Sequence, residues 1–547
     1  MSRTLSLSPP GGEMDLRAPV NMAAEGGEDK MERLTVDDML QKYCGEFGWW
    51  QWKHFVLTSL AWALEGIHTM VMIFADRDPG WRCTATGSAG CPSPGSSNVC
   101  RLGPGLWEWE GGLKSSTVSE FGLVCAHKYR VGLVQALFFA GCMIGAGTFG
   151  HLSDSKMGRK GTLTIVCIMN VIFGCLTAFS PNYYLYVLLR LLSGFSTGGT
   201  GLCAFVLATE PVGPTKRGIA GMSTFYFFSS GITLLAGIAY YFKTWRHLYI
   251  ASSIPSILFV FLVLPFIQES PRWCLVRGKV DVAMKIMHNI AKSNKKHLPE
   301  NVQLVLDSEV NKEYPAKKAA NEPQPHPEPE LKEAKTGSLL GVLQCQLTRI
   351  RLLLAVTINF TMATVYYGLS LNAVNLGTNL YMNVAINAVA EMPAYFLTAV
   401  LLDKVGRKPL TIGTHWFSGI FCLAGSLMKG YGTCKVIRMI CGVFGIFGMA
   451  GTYNLLFIYT VELFPTTVRN AALGCTTQAA QLGAILSPLI VVLGGGIPFA
   501  VFGALGIFGG LLGFFLPETL NKRLYDTMDG MEEGESKEVE LHKGVQV

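Results

Sequence analysis

The sequence predicts an all-α membrane protein with twelve transmembrane helices in two pseudo-symmetric six-helix bundles. Three observations lead to this prediction. Half of the 547 residues are hydrophobic and only 15% are charged. Twelve apolar runs recur along the chain, each close to the roughly 20 helical residues that cross a hydrocarbon layer. A charged turn, GHLSDSKMGRK at 150–160, returns as AVLLDKVGRK at 399–408.

The repeated turn sets the register of an internal duplication. Asp154 and Asp403 are 249 positions apart, and Arg159 and Arg407 are 248 apart. Four more pairs keep nearly the same spacing: Arg190 with Arg438, Glu210 with Glu462, Arg217 with Arg469, and Glu269 with Glu518. Six pairs in register indicate two halves related by a parallel repeat, which is a plan of secondary transporters.

Each half supplies six predicted helices. The first six are expected at 54–75, 130–150, 161–179, 183–207, 218–241 and 247–267. The second six are expected at 351–371, 379–402, 409–428, 434–460, 468–492 and 497–516. An even number of spans places both termini on one side. Lys and Arg residues in the turns make that side cytoplasmic.

The polar segments divide the chain further. We predict an N-terminal bundle (54–267) with an extracytosolic loop (76–128), and a C-terminal bundle (350–517). The remaining segments are cytosolic: an N-terminal tail (1–53), a linker (268–349) and a C-terminal tail (518–547). A Pro-rich run at 321–330 cannot pack a core, so the linker is expected to be flexible there.

Composition and motifs argue against several other classes of protein. The net charge of +7 comes from short loops beside apolar runs, so it indicates membrane topology rather than nucleic-acid binding. GAGTFG at 145–150 and GFSTG at 194–198 match nucleotide-binding and hydrolase patterns, but both lie inside predicted helices without a preceding strand. No Walker A or metal-ligand spacing is present. We therefore predict no enzyme, no cofactor, no metal and no catalytic residue, only gradient-driven transport across a lipid bilayer.

Four of the fifteen cysteines fall in the predicted extracytosolic loop: Cys83, Cys91, Cys100 and Cys125. Clustered cysteines in a loop rich in Gly and Pro indicate two disulfides facing an oxidising compartment, and three pairings are open. A zinc site is the alternative. The spacings argue against zinc because they contain no paired CxxC pattern.

Two sets of motifs resemble known families. The two GRK turns, the two E-x(6)-R turns and ESPRW at 269–273 resemble the major facilitator superfamily. YYGLSLNAVNLGTNLYMNVAINAVAEMPAY at 366–395, YTVELFPTTVRNAALG at 459–474 and the cysteine-bearing loop resemble the organic cation/carnitine transporter family. CGEFGWWQWKHFVL at 44–57, near the start of the chain, resembles the plant members of that family.

The resemblance implies the major facilitator fold and a transport function. The chain would be a secondary transporter of organic cations or carnitine-like zwitterions that works by alternating access, functions as a monomer and is coupled to protons. Its location would be the plasma membrane or the vacuolar membrane. One rival interpretation is a sugar/proton symporter of the same superfamily, because ESPRW is shared. Another is a non-transporting receptor or scaffold that binds a partner through 268–349.

Substrate-binding candidates lie in the second half. The resemblance places Glu391 towards the cavity, where a carboxylate can pair with an ammonium substrate; an ion pair with Arg438 is the alternative. Aromatic rings attract quaternary ammonium ions but also pack helices. The remaining candidates are polar or aromatic: Tyr366, Tyr367, Tyr395, Asn372, Gln478 and Gln481. Family members often carry a charge where Gln481 stands, so the substrate charge stays open.

Glu65 and His68 lie midway along the first predicted helix, on one face at a spacing of three. An acid beside an imidazole can take up and release a proton during transport. The alternative is a hydrogen-bonded pair that ties this helix to a neighbour.

The repeated charges are predicted to form a cytoplasmic gate, with topology anchoring as the alternative. Glu210 is expected to pair with Arg217, and Glu462 with Arg469. Arg190 and Arg438 are expected to pair with Glu210 and Glu462 or with the acids of the turns. The full set is Asp154, Arg159, Arg190, Glu210, Arg217, Asp403, Arg407, Arg438, Glu462 and Arg469.

Overall fold

The computed structural model describes residues 31–84, 99–101, 106–305, 339–376, 378–428, 432–465 and 468–520, with residues 522 and 531. Twelve long helices follow in the predicted order. The first half holds α1 Trp49–Ala75, α2 Tyr129–Asp154, α3 Gly158–Thr177, α4 Tyr183–Thr209, α5 Pro214–Tyr241 and α6 Trp245–Leu258. The second half holds α7 Gln346–Leu371, α8 Leu380–Val405, α9 Arg407–Leu427, α10 Cys434–Leu463, α11 Arg469–Val491 and α12 Ile497–Gly513.

Length and apolar composition support a membrane location for most of these helices. In the described part of the chain, 10 helices are long and apolar enough to cross a membrane, and α12 is a shorter apolar helix. The helix α11 is not among the 10 because polar side chains, including Gln478 and Gln481, interrupt its apolar surface. The protein is therefore a multi-pass integral membrane protein, and its helix α11 is more polar than the 10 apolar helices.

The first helix begins five residues earlier than predicted, at Trp49. The side-chain oxygen of Gln51 accepts a hydrogen bond from the Gly48 backbone N–H at 3.0 Å, which satisfies a donor that a helix start leaves free. Trp49 and Trp52 stack with ring centroids 5.0 Å apart on the exposed side of this extra turn. Paired aromatic rings at a helix end suit the boundary between lipid and water.

Two seams join the halves. The helix α2 packs on α11, and α5 packs on α8. Within the first half, α2 and α4 approach closely, because a Cβ atom on Gly194 would collide with the backbone of Phe138. Small residues allow this backbone contact between membrane helices. The two seams leave the faces of α1, α7 and α10 near the centre of the protein.

Residues 31–48 and 271–305, predicted as tail and linker, are folded together. Strand β1, Glu32–Leu34, pairs in parallel with the later strand Val302–Leu304. A hydrophobic cluster that includes Met39, Trp273 and Met287 joins the two segments. Each segment is too short to bury its apolar side chains alone. The sequence of either segment by itself therefore does not predict a folded unit. We call this unit the cytosolic subdomain, after the side of the membrane that the sequence predicts for it.

The extracytosolic loop contains two further strands, β2 Trp81–Cys83 and β3 Trp107–Trp109, so the strand Val302–Leu304 is β4. The strands β2 and β3 are antiparallel, with Trp81 opposite Trp109. Cys100 and Cys125 form a disulfide, and Cys83 is also disulfide-bonded. Cys91 lies outside the described residues. The cysteine pair therefore contradicts the zinc interpretation and favours disulfides.

Candidate functional site

The two GRK turns have the same ion-pair geometry. In the first half, Arg159 contacts Asp154 at 3.0 Å and Glu210 at 3.2 Å. In the second half, Arg407 contacts Asp403 at 3.4 Å and Glu462 at 2.9 Å. Glu210 and Glu462 are mostly buried, whereas Asp154 and Asp403 are 71% and 79% exposed. Each turn therefore holds one sheltered ion pair and one that water screens strongly.

A second acid fixes the backbone of each turn. Glu269 accepts hydrogen bonds from the backbone N–H groups of Arg159 and Lys160, both at 3.1 Å. Glu518 does the same for Arg407 and Lys408, both at 3.0 Å. Burial alone would raise the pKa of Glu518, but four backbone N–H groups outweigh burial and hold that pKa below its usual value.

Two predicted pairings in these turns are wrong. Arg217 contacts Asp37 of the cytosolic subdomain at 2.6 Å rather than Glu210. Nε and Nη2 of Arg469 have no hydrogen-bond partner in the described part of the protein, because Glu462 instead binds Arg407 and Thr519. Arg159 reaches Glu210 at the end of α4, and Arg407 reaches Glu462 at the end of α10, so each takes the place of the expected partner.

The prediction that Arg190 and Arg438 join the cytoplasmic acids is also wrong. Arg190 lies near the start of α4, about 30 Å from Glu210 at 1.5 Å per residue. Its Nη2 donates to the backbone oxygen of His68 at 3.3 Å, and its guanidinium lies 4.2 Å from the Phe138 ring. Arg438 donates to the backbone oxygen of Gly495. Both arginines therefore make their contacts inside their own halves, away from the GRK turns.

At the end opposite the GRK turns, the two halves meet at Tyr381, on the first turn of α8. Its ring stacks on Phe74 with centroids 5.5 Å apart and an angle of 8°. The ammonium of Lys243 lies 4.3 Å from the same ring, and Arg77 donates a hydrogen bond to its hydroxyl. Sequence reasoning missed this contact because Tyr381 is one aromatic residue among many. We call these four residues the outer contact.

Glu65 lies at the centre of the protein. Its Oε2 atom is buried and has no hydrogen-bond partner within the described residues. A Cβ atom on Gly201 of α4 would overlap with the carboxylate. The side chains of Tyr367 and Tyr453, from the other half, lie near enough to interact electrostatically with Glu65. The carboxylate therefore lies near both halves and has no hydrogen-bond partner in the described part of the chain.

The predicted contact between Glu65 and His68 is wrong. The Nε2 atom of His68 lies 2.8 Å from the hydroxyl of Ser256 on α6. His68 is 1% exposed and is enclosed within the first half. A spacing of three places two side chains on one face of a helix, but here the two heads diverge towards different neighbours.

Glu391 is 1% exposed and has a complete set of neutral donors. Tyr366 donates at 3.1 Å and Tyr395 at 3.2 Å. The third donor, the Ser229 hydroxyl at 2.5 Å, belongs to α5 of the other half. The alternative ion pair with Arg438 is excluded because Arg438 lies at Gly495. Glu391 therefore connects the two halves through hydroxyl groups.

The other predicted substrate residues divide into two groups. Gln478 and Gln481 are half-buried on α11. Asn372 lies at the outer end of α7, where it accepts a hydrogen bond from Asn375 at 2.8 Å, and Asn375 donates to the Val491 backbone at 3.0 Å. Asn372 therefore belongs to the contact between α7 and α11 rather than to the centre.

Aromatic rings surround the central carboxylates. Tyr453 is the common neighbour: its ring centroid lies 5.4 Å from Tyr366, 6.4 Å from Tyr367 and 5.6 Å from Phe225. Phe225 in turn lies 5.1 Å from Trp62. Sequence reasoning missed Trp62, Phe225 and Tyr453, since aromatic residues in membrane helices are common. We call these five rings the aromatic cluster.

Known proteins match this chain over most of its length. The family profile described as "Sugar (and other) transporter" matches residues 106–529. Organic cation/carnitine transporter 4 of Arabidopsis thaliana is 64% identical over 520 residues, which cover 95% of this chain and 94% of the relative. The Organic cation transporter protein of Drosophila melanogaster is 31% identical and covers 91% of this chain and 94% of its own length.

Solved structures confirm the fold. The xylose transporter XylE from E. coli, described as partially occluded and inward open, aligns with a TM-score of 0.61 and 18% identity. The alignment covers 87% of this chain and 99% of XylE. The matched proteins are named as transporters rather than enzymes. The chain belongs to the major facilitator superfamily and, within it, to the organic cation/carnitine transporter family.

Proposed function

We propose that the protein carries organic cations or carnitine-like zwitterions across a membrane by alternating access between its two halves. The observation that carries this proposal is the buried Oε2 of Glu65, which none of the described residues contacts by a hydrogen bond, beside the aromatic cluster. A carboxylate among aromatic rings suits a quaternary ammonium group, because both attract positive charge. The names of the plant and insect relatives support the same substrate class.

Within this proposal, substrate meets residues of both halves. Tyr367 and the half-buried Gln478 and Gln481 line its path, and Gln481 adds no charge of its own. Tyr366 and Tyr395 act through Glu391, which they hold by hydrogen bonds. Because Ser229 of the other half also binds Glu391, movement of the halves must break or reform that bond. We assign Glu391 to coupling substrate binding with this movement.

We further propose that Glu65 exchanges a proton against the substrate. One carboxylate cannot hold a proton and attract a cation equally well, so the two compete. His68 is left out because it binds Ser256 inside the first half. The two GRK turns, with Arg159 and Arg407, serve as hinges of the cytoplasmic gate.

An uptake assay tests the proposed function. Vesicles from plasma-membrane and vacuolar-membrane fractions containing the protein are supplied with labelled tetraethylammonium, carnitine and glucose. We expect saturable uptake of tetraethylammonium or carnitine in one of the two fractions, above the rate of vesicles without the protein. Saturable uptake of glucose alone would instead support a sugar symporter. Transport of none of the three would support a receptor or scaffold.

The outer contact provides a prediction about the transport cycle. Replacing Tyr381 with alanine removes the stacking on Phe74 and the hydrogen bond from Arg77, so the closed extracellular side loses stability. Each such aromatic pair contributes about 1 kcal/mol, and a hydrogen bond to a charged group about 1.5–3 kcal/mol. We expect at least a tenfold shift towards the outward-open form. Spin labels at the exposed Tyr241 and Met382 report the separation of the halves.

The conservative variant Tyr381→Phe is the control. It keeps the ring on Phe74 but loses the hydroxyl, so a smaller shift is expected. Equal distance distributions in wild type and Tyr381→Ala would show that the outer contact does not hold the halves together.

A further inference from the structure

A cavity of about 220 Å³ lies at the extracellular end of the seam between α2 and α11. Both halves contribute to its walls: Gln135 comes from α2, Val374 and Asn375 follow α7, and Val491 ends α11. The strands β2 and β3 lie over it with Trp81 and Trp109 facing inward. We call this space the outer vestibule. The central site with Glu65 does not account for it.

The vestibule is acidic. Asp76 and Asp78 both line it, together with one cation, Lys128. Asp76 is 6% exposed and is fixed by hydrogen bonds from Tyr186 at 2.7 Å and Thr117 at 2.7 Å. Asp78 makes no hydrogen bond or ion pair with the described residues. The walls of the cavity therefore hold two carboxyl groups and one ammonium group.

The walls combine this charge with aromatic and aliphatic surface. Trp81 and Trp109 are directly opposite each other in the β2–β3 pair, so their rings share one face. Tryptophan is the aromatic residue that attracts cations most strongly. The valines at 374 and 491 supply apolar contacts for alkyl groups. Charge, aromatic rings and apolar walls together match a positively charged head that carries methyl groups.

The volume of the cavity limits the size of the ligand. Binding sites for drug-sized ligands usually measure 300–1,000 Å³, so 220 Å³ admits only a compact molecule. We propose that the outer vestibule is a second binding site, which captures a small quaternary ammonium ion from the extracytosolic side. The proposal rests on the proposed function for its biological role. Its site shares no residue with the central aromatic cluster.

Equilibrium binding of labelled choline to the full-length protein in lipid nanodiscs tests the proposal. We expect two binding sites per chain in the wild type. Trp109→Ala and Asp78→Asn should each weaken one site by about 2- to 30-fold, the range of a single cation–aromatic contact, and leave the other unchanged. Glu65→Gln should weaken only the other site. The neutral isostere 3,3-dimethylbutan-1-ol should not compete at the vestibule.

A matched control comes from the same strand. Glu108 lies on the opposite face of β3, pairs with Arg82 at 2.7 Å and does not line the vestibule. Glu108→Gln should bind choline like the wild type, whereas Trp107 is no control because its ring packs on Trp109 at 4.8 Å. Retention of the Glu65-dependent site in each vestibule variant shows that the protein is folded.

The outcomes separate the two proposals. A single binding site in the wild type, or unchanged binding in Trp109→Ala and Asp78→Asn, would overturn the vestibule even if uptake of cations is observed. Binding that depends on Trp109 in a protein that transports no cation would support the vestibule and refute the proposed function. Weakening by Glu108→Gln equal to that by Asp78→Asn would assign the effect to the strand pair and overturn the site.

Discussion

Replacing Glu65 with glutamine is expected to reduce the uptake of organic cations about 100-fold. Glutamine keeps the shape of the side chain but removes its charge. At an effective dielectric constant near 20, attraction between a carboxylate and an ammonium 4–5 Å apart is about 3–4 kcal/mol, which corresponds to a factor of 100 or more. The measurement is kcat/KM for labelled tetraethylammonium in proteoliposomes containing equal amounts of protein.

The same variant tests the proton. In the wild type, acidification should reduce cation uptake, because a protonated Glu65 no longer attracts the substrate. In Glu65→Gln, the residual uptake should not change with pH in this way. Identical pH profiles for the two proteins would remove Glu65 from proton coupling, whatever happens to the rate.

Two control variants separate charge from position. Glu65→Asp keeps the charge and should retain more uptake and the pH dependence. Gly201→Ala keeps the glutamate but forces it to move, since the added Cβ would overlap with the carboxylate. We expect this variant to lose uptake as well. Normal uptake in Gly201→Ala would show that the position of the Glu65 carboxylate is unimportant.

The second large effect is expected at the cytoplasmic turn of the second half. Arg407 and Glu462 are 12% and 17% exposed and are joined by two hydrogen bonds, at 2.9 and 3.0 Å. Arg407→Ala leaves a sheltered carboxylate without its partner, which costs about 3 kcal/mol of stability. We expect a lower midpoint of thermal unfolding and loss of transport. The equivalent Arg159→Ala should behave similarly in the first half.

Asp403 offers the matched control. It contacts the same arginine at 3.4 Å but is 79% exposed, so water screens the interaction. Asp403→Asn should therefore leave thermal unfolding nearly unchanged. Arg407→Lys keeps the charge but loses the planar fork, and an intermediate loss of stability is expected. Equal losses in Asp403→Asn and Arg407→Ala would contradict the assignment of the stabilising contact to Glu462.

Most of the fold could be predicted because membrane burial leaves a strong pattern. Each span must satisfy its own backbone hydrogen bonds, so long apolar runs predict helices with small errors at their ends. The internal repeat also predicted that the helices form two related halves. It also identified the Asp154–Arg159 and Asp403–Arg407 contacts, because these pairs are close in sequence as well as in space.

The partners of buried charges could not be predicted in the same way. Arg217 and Arg469 occupy equivalent positions, yet one binds Asp37 and the other has free N–H groups among the described residues. That difference comes from the cytosolic subdomain, which covers one half alone. Likewise, Glu65 and His68 diverge because Gly174 and Gly201 open space on different sides of α1. The partner that each of these side chains contacts therefore depends on residues that are distant in the sequence.

The pairing of β1 with β4 has a consequence for the order in which the protein is made. Residues 32–34 emerge from the ribosome before α1, and their partners at 302–304 emerge after α6. Domains generally fold as units during synthesis, beginning from the N-terminus. The two strands can thus pair once the first bundle has been synthesised, while the second bundle is still untranslated. A sheet of two three-residue strands then links the segments before and after the first bundle, when about half of the chain has been made.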